Sequence, residues 1–306
     1  MKSDICKLVG RDKHHLVQLC LPYEKLKAPL SFPVLASEKL DGVFAFAVIQ
    51  GTEVHIFSRT GEEYKSLEHL KPELWELHNM CGYEVFIFEC YAKGVPQPTI
   101  SGWCRDTKKQ HLEVDAYIHD GMTWEEFKNP DDSMGYKYRQ YPIFFVFNEM
   151  LDITVFSHIH FVRQEIKQNK EDLMSMAKAI WAAGGEGVVA RPIDSIYQPG
   201  KRNAGMVKLK KGVSFDLKVV SLEEGTGKYK NHVGKLVCAD RNGKVIKVGS
   251  GLTDEERKRW WSGFFYEEIV GKIVQVDAMA VSTKGVLREP RFKGIRHDKT
   301  EVDIIG

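Results

Sequence analysis

The chain lacks any paired cysteine motif. Its six cysteines stand at 6, 20, 81, 90, 104 and 238, and no two form a C-x-x-C pair. That argues against a zinc ribbon, and scattered, reduced thiols point to an intracellular compartment. No apolar run reaches membrane-spanning length, and the opening MKSDICKLVGRDKHH is too polar for a signal peptide. Charge of one sign is also missing. Forty-four basic and 42 acidic side chains leave a net charge of only +2, so the overall balance designates no partner. Internal repeats and low-complexity segments are absent. What remains is an ordinary globular composition, 43% hydrophobic and 28% charged over 306 residues. Such a chain supports one large domain or two smaller ones, with a core that needs no covalent staples.

Local distribution says more than the total. From Ile196 to Gly212 there are five basic residues and no acidic one, and Lys284–Lys299 holds six basic and two acidic. Either patch alone reads as a solvated lysine face. Together, on a near-neutral chain, they suit a polyanion that is held locally and then released. Apolar runs predict strands at 42–49, 54–58, 83–90, 143–150 and 187–191. Leu173, Met176, Ala177, Ile180 and Trp181 follow a helical spacing that Gly184 stops. After Gly212 the texture changes to short strands at 215–222, 234–240, 244–249 and 272–281. Asp240-Arg-Asn-Gly243 gives a hairpin signal, and Thr253-Asp-Glu-Glu256 a capping box for a single helix. The expected fold class is α+β: a mixed domain over 1–212 and a small barrel of the OB type over 213–306.

Lys39-Leu40-Asp41-Gly42 opens the first strong strand. A lysine there becomes a covalent nucleophile only after losing its proton. Moving its pKa of about 10.4 down by three units costs about 4 kcal/mol, which takes burial or neighbouring positive charge. The motif alone proves little, since K-x-D-G arises by chance in roughly one chain in fifteen of this length. Specificity comes from the ordered motifs downstream of it: Ser58-Arg59-Thr60-Gly61, Phe86-Ile87-Phe88-Glu89, Phe144-Phe-Val-Phe147-Asn148, Glu186-Gly187-Val188-Val189, Lys208-Leu209-Lys210-Lys211, Arg288-Glu-Pro-Arg291-Phe292 and Arg296-His-Asp298-Lys299.

This ordered series resembles the nucleotidyltransferase motifs of the ATP-dependent DNA ligases, from about residue 35 to residue 299, with the last set in an OB domain. Tyr197-Gln-Pro-Gly-Lys201-Arg202 is more similar to those ligases than to capping enzymes. The resemblance implies that Lys39 takes AMP from ATP as a phosphoramidate, with Lys208 and Lys210 on the phosphate and depressing the pKa of Lys39. It implies Glu89 on ribose and metal, Glu186 on Mg²⁺, Phe147 stacked on adenine, Ser37 near the base, and Arg59 and Arg202 on phosphates. Arg296, Asp298 and Lys299 would orient the leaving pyrophosphate. The implied partner is nicked duplex DNA with 5′-phosphate and 3′-hydroxyl ends, handled by a cytoplasmic monomer in a bacterial cell or a phage-infected host. Phosphoryl transfer needs placed cations and a hard metal more than a protein base, and these are such parts.

Departures from the pattern matter as well. Phe44 holds the place where the family has an arginine, and Ser37 stands where many relatives have Glu. Arg191 stands where Lys is common. With 38 residues before Lys39, a large N-terminal DNA-binding domain is not expected, nor are the NAD-specific elements of the other ligase class. Asn129–Tyr141 is a candidate insertion near DNA. His158-Ile-His160 lacks further ligands and reads as surface, and Trp260-Trp261 as packing. An RNA ligase, a GTP-using capping enzyme and a non-catalytic nick or single-strand binder are the competing readings.

Overall fold

The computed structural model describes residues 5–130, 133–149, 156–278, 280–282 and 285–305. The chain divides into two compact units, Met1–Lys210 and Lys211–Gly306. In the first, the strands are β1 (Leu21–Pro22), β2 (Val34–Glu38), β3 (Val43–Gln50), β4 (Glu53–Ser58), β5 (Val85–Tyr91), β6 (Asp115–Met122), β7 (Ile159–Phe161), β8 (Gln164–Lys167), β9 (Gly187–Pro192) and β10 (Val207–Lys210). Its helices are α1 (Ile5–Val9), α2 (Lys71–Cys81), α3 (Gln97–Cys104), α4 (Trp124–Lys128), α5 (Tyr136–Glu149) and α6 (Lys170–Ala182). The strands form two five-stranded sheets, ordered β4-β3-β5-β6-β7 and β1-β10-β9-β2-β8.

The unbroken apolar run VFAFAVIQ of β3 has a physical reason. Val43, Ala45, Ala47 and Ile49 enter one core with Leu74, Leu77 and Ile100. Phe46 and Val48 enter another, with Val85, Ile87 and Phe127. A strand covered on both faces has no use for polar alternation. The other sheet alternates. Val34, Ala36, Val188, Ala190, Val207 and Leu209 pack beneath Leu173 and Ala177 of α6. The intervening Ser37, Val189, Arg191, Lys208 and Lys210 line a cleft instead, as the period-2 geometry of a strand requires. Helix α6 starts where the Asn169 side chain accepts from the Asp172 N–H, with Glu171 and Asp172 in its first turn.

One sequence expectation is overturned. The segment read as a strand from Ile143 is the second half of α5, and Met150 lies outside the described residues. The run of Phe144, Phe145 and Phe147 suggested a strand, but the buried positions are Tyr136, Arg139, Gln140, Ile143 and Val146, a helical spacing. Arg139, 1% exposed, donates to Asp120 of β6 at 3.1 Å through both Nε and Nη2. This long-range pair helps fix the segment as a helix, overriding its local preference. The candidate insertion 129–141 leads into α5; its residues 131 and 132 lie outside the described residues.

The second unit holds β11 (Val213–Glu224), β12 (Val233–Ala239), β13 (Val245–Val248), α7 (Asp254–Trp261), β14 (Ile273–Ala278), β15 (Ala280–Val281), β16 (Leu287–Arg288) and β17 (Arg291–Ile295). Five strands make an antiparallel sheet ordered β13-β12-β11-β14-β17. A bridge from Ser250 to Arg291 ties the chain just after β13 to β17, so the outer strands of the sheet approach each other. The capping box of α7 is present, with Thr253 and Glu256 each serving the other's backbone N–H. Trp260 is 5% exposed and meets Phe292 edge-on, so it packs rather than presenting a platform. No helix among the described residues is long and apolar enough to cross a membrane.

Candidate active site

Lys39 directly follows β2 and begins the short link to β3, where one sheet hands the chain to the other. Its backbone N–H donates to the Gly187 carbonyl at 2.8 Å. Its Nζ donates to Glu186 Oε2 at 2.7 Å. The other oxygen of Glu186 pairs with Lys210 Nζ. One carboxylate is therefore shared by two lysines, one just past the end of β2 and one at the end of β10.

Two glycines make this approach possible. Gly187 faces Lys210 across the β9–β10 ladder, and a Cβ there would stand 1.9 Å from the Leu209 carbonyl oxygen. A Cβ on Gly42 would meet the Cys90 carbonyl oxygen at 2.4 Å and Glu89 Cγ at 2.6 Å. The glycine of Lys39-Leu-Asp-Gly42 thus clears space for the Glu89 side chain. Both positions need the bare backbone for close packing.

A cleft of about 420 Å³ opens around these groups. It is lined by Ser37, Lys39, Arg59, Glu89, Arg202, Lys208 and Lys210, seven of the residues singled out in the sequence. Glu186 joins them through its two lysines. Phe147 does not line it. Its ring lies on α5, 5.2 Å from that of Phe156 and 6.0 Å from that of Phe161, in a different groove. Because the segment is helical, the aromatic expected over adenine points elsewhere; Phe44 and Tyr64 are aromatic rings that do line the cleft.

The electrostatics differ from expectation at Lys39. Burial pushes the Lys39 amine down, but Glu186 and Glu89 more than offset this, and its pKa is raised. The anticipated depression by Lys208 and Lys210 is not the net effect, because Glu186 sits 2.7 Å from the amine and its charge, with that of Glu89, favours the protonated form. Burial pushes Glu89 up to about 7 despite Lys39 beside it. Lys208 is lowered by burial and by Lys210. Groups held this far from their ordinary charge preferences mark a site that handles charge.

Sequence reading missed part of the wall. His119 of β6 lines the cleft, accepts from Arg191 Nη2 at 3.0 Å through Nδ1, and is pushed down to about 3 by burial and that guanidinium. Arg191 also donates to the His119 carbonyl at 2.9 Å. The Phe44 ring, standing in the arginine's place, lies 6.3 Å from the His119 ring. Gln18 and Cys20, ahead of β1, line the cleft too. The alternation of Asp115–Met122 was a strand signal that could have found His119. Nothing local marks Gln18 or Cys20, whose place depends on the pairing of Leu21 with Val207.

Outside the cleft, His158 and His160 share Asp115, at 2.9 and 3.1 Å, and are half-buried rather than plain surface. Among the described residues, no three His, Cys, Asp or Glu side chains are grouped to hold a metal. In the second unit, Arg296 Nη1 reaches Asp216 at 3.0 Å, and its Nε and Nη2 clasp Asp298 at 2.9 and 2.8 Å. Lys299 lies 3.5 Å from Asp216. The last motif is therefore assembled as one ionic cluster within its own unit.

Comparison with known proteins agrees with these two units. Residues 147–210 match the ATP dependent DNA ligase domain, and residues 224–296 the DNA ligase OB-like domain. The African swine fever virus DNA ligase is 25% identical over 284 residues, covering 89% of this chain and 65% of that protein. The chain thus spans just under two thirds of that relative's length. A solved structure described as Pmar-Lig_PreS3 superposes with a TM-score of 0.71 at 23% identity, covering 92% of this chain and 67% of that one. The ATP-dependent DNA ligase from bacteriophage T7 in complex with ATP gives 0.52 at 20%, covering 86% and 92%. Fold and motifs define a nucleotidyltransferase unit followed by an OB unit. In the matched domains and in the viral relative alike, what the chain is similar to is a DNA ligase of the ATP-dependent kind.

Proposed function

We propose that the chain seals nicks in duplex DNA at the expense of ATP, through AMP carried on Lys39. The observation that carries this reading is the sharing of Glu186 by Lys39 and Lys210 inside a cleft that also holds Glu89, Lys208, Arg59 and Arg202. A lysine amine half-enclosed by cations and two carboxylates is fitted for attack on a phosphorus centre. Lys39 Nζ forms a bond to the α-phosphorus of ATP while the bond to pyrophosphate breaks. An oxygen of the 5′-phosphate at a nick then takes the AMP from nitrogen. Finally the 3′-hydroxyl attacks that 5′-phosphorus, and AMP leaves.

Lys208 and Lys210 act on the α-phosphate, Arg59 and Arg202 on nucleotide or nucleic-acid phosphates, and Ser37 borders the base. Glu89 contacts ribose. Arg296 and Lys299, set by Asp298, are the cations assigned to the departing pyrophosphate. Glu89 and Glu186 fit Mg²⁺ as a pair completed by substrate phosphates, and the ion would neutralise phosphate charge and compete for the carboxylates that hold the amine protonated. Phosphoryl transfer leaves the protein mostly positioning and electrostatic work, which these residues supply. The reading assigns this work to a monomer.

The test is incubation with α-labelled ATP and Mg²⁺, followed by mass spectrometry of the labelled peptide and by sealing of a nicked duplex. AMP is expected on Lys39, with Lys39→Ala unlabelled yet retaining most nonspecific DNA affinity, which rests on the basic patches. An adenylate on another residue, or sealing confined to RNA duplexes, overturns the reading.

A further inference from the structure

We infer that Gln18 is a further substrate-contacting residue, its carboxamide donating to a phosphate oxygen bound in the cleft. The inference rests on the reading of the cleft as a nucleotidyl-transfer site. Gln18 is 7% exposed and lines the cleft together with Cys20, Arg202 and Lys208. Its Oε1 accepts from the Gln198 backbone N–H at 3.2 Å. A backbone N–H can only donate, so this contact fixes which end of the carboxamide is oxygen. The remaining end, Nε2, is buried and has no hydrogen-bond partner among the described residues.

A buried amide donor without an acceptor is costly, and native chains retain few of them. Here the surroundings keep the donor where it is. Its own backbone N–H donates to the Tyr197 hydroxyl at 3.3 Å. Gln198 is in turn held by Asn203, whose Oδ1 accepts from the Gly205 N–H at 3.0 Å. A Cβ on Gly205 would stand 3.4 Å from Gln18 Nε2, an ordinary contact distance, so Gly205 packs beside the amide without supplying an acceptor side chain. Arg202 donates to the Cys20 carbonyl at 3.0 Å, and Leu19 N–H to the Lys201 carbonyl at 3.0 Å. The segment carrying Gln18 is thereby laced to the acid-free basic stretch. An acceptor arriving among Arg202 and Lys208 carries negative charge, and a phosphate oxygen meets both requirements. That phosphate belongs either to the nucleotide or to the 5′ end of the nick.

Gln18→Glu separates this role from packing, because it keeps the oxygen that serves Gln198 and replaces only the idle donor with an oxygen. The experiment measures labelling of Lys39 over a range of ATP concentrations, nick binding and sealing by enzyme already carrying AMP, and the melting midpoint. A rise of about tenfold in the ATP concentration for half-maximal labelling, at unchanged maximal rate, identifies the nucleotide phosphate. Weaker nick binding by about tenfold with normal labelling identifies the 5′-phosphate. Wild-type values in both arms overturn the inference. Should Gln18→Glu fail to fold, Gln18→Met is read the same way, and wild-type behaviour there overturns it equally. Failure of the wild-type chain to take up AMP would instead refute the parent reading, which keeps the two distinguishable.

Discussion

The cleft of the first unit and the ionic cluster of the second are both built from lysine, arginine and carboxylates, yet they treat charge in opposite ways. In the cluster, Arg296 is held by Asp216 and Asp298, Lys299 leans on Asp216, and Asp298 lies well below the usual carboxylate range because of its bond to Arg296. Each group supports the charge of its neighbour. In the cleft, Glu89 is pushed up to about 7, His119 down to about 3, and Lys208 below its ordinary range, all by burial first. One carboxylate serves two lysines. The difference teaches where the molecule waits for something: a self-satisfied cluster stores parts, whereas a mismatched one receives a ligand.

Glu186 is the residue on which the contrast between cleft and cluster depends most. Glu186→Gln is expected to lower the rate of AMP transfer to Lys39 by about 100-fold or more, the scale of losing one preorganised charged contact in a phosphoryl-transfer site. Labelling at the wild-type rate would show that the shared carboxylate is ornament. Next comes His119. Its folded pKa lies below the unfolded value of about 6.5, so the unfolded chain takes up a proton that the folded chain refuses. Stability present above pH 6.5 is therefore lost as pH falls toward 3. About 2 kcal/mol of this should disappear by pH 5. Urea unfolding at pH 7 and pH 5 should show that loss, and a His119→Gln variant should lack this component of it. A variant losing as much stability as wild type would place the mismatch elsewhere.

The smallest effect is expected in the second unit. Asp216→Asn should lower the melting midpoint by about 5 °C, the shift that about 1 kcal/mol produces in a domain of this size. Because Arg296 keeps Asp298 and stays partly in water, the loss is not that of a buried charge left alone. A fall of 20 °C would mean the cluster carries mismatched charge as the cleft does.

The cleft's charged lining was legible in the sequence wherever it sat on or beside a strand of recognisable pattern. Lys39, Glu89, Lys208 and Lys210 could be placed because their strands advertise themselves. The spacing of Lys208 and Lys210 already put both on the face opposite Val207 and Leu209. The α6 face was readable for the same reason, with Leu173 and Ala177 buried as its period required. Phe147 was misplaced because five apolar residues in a row, Ile143 to Phe147, look alike in a helix and a strand. The deciding partner, Asp120 against Arg139, lies outside any window around Phe147. Gln18 and Cys20 were invisible for a related reason. Their placement depends on contacts with residues about 180 positions away, and no local composition encodes a contact that distant. The direction of the Lys39 shift was missed because sequence shows which charges exist but not which approach closest.

The bare backbone at Gly187 has a consequence for how such a chain can change over time. The spacing of β9 from β10 there is set by main chain against main chain, with the Leu209 oxygen where a Cβ would go. Exchanges among Val188, Ala190, Val207 and Leu209 can retune the oily layer beneath α6 while the carbonyl contact still fixes the distance between strands. Glu186 and Lys210 flank that contact, so their meeting is insulated from turnover in the core. The hydrophobic interior is free to drift, and the paired charges keep their alignment.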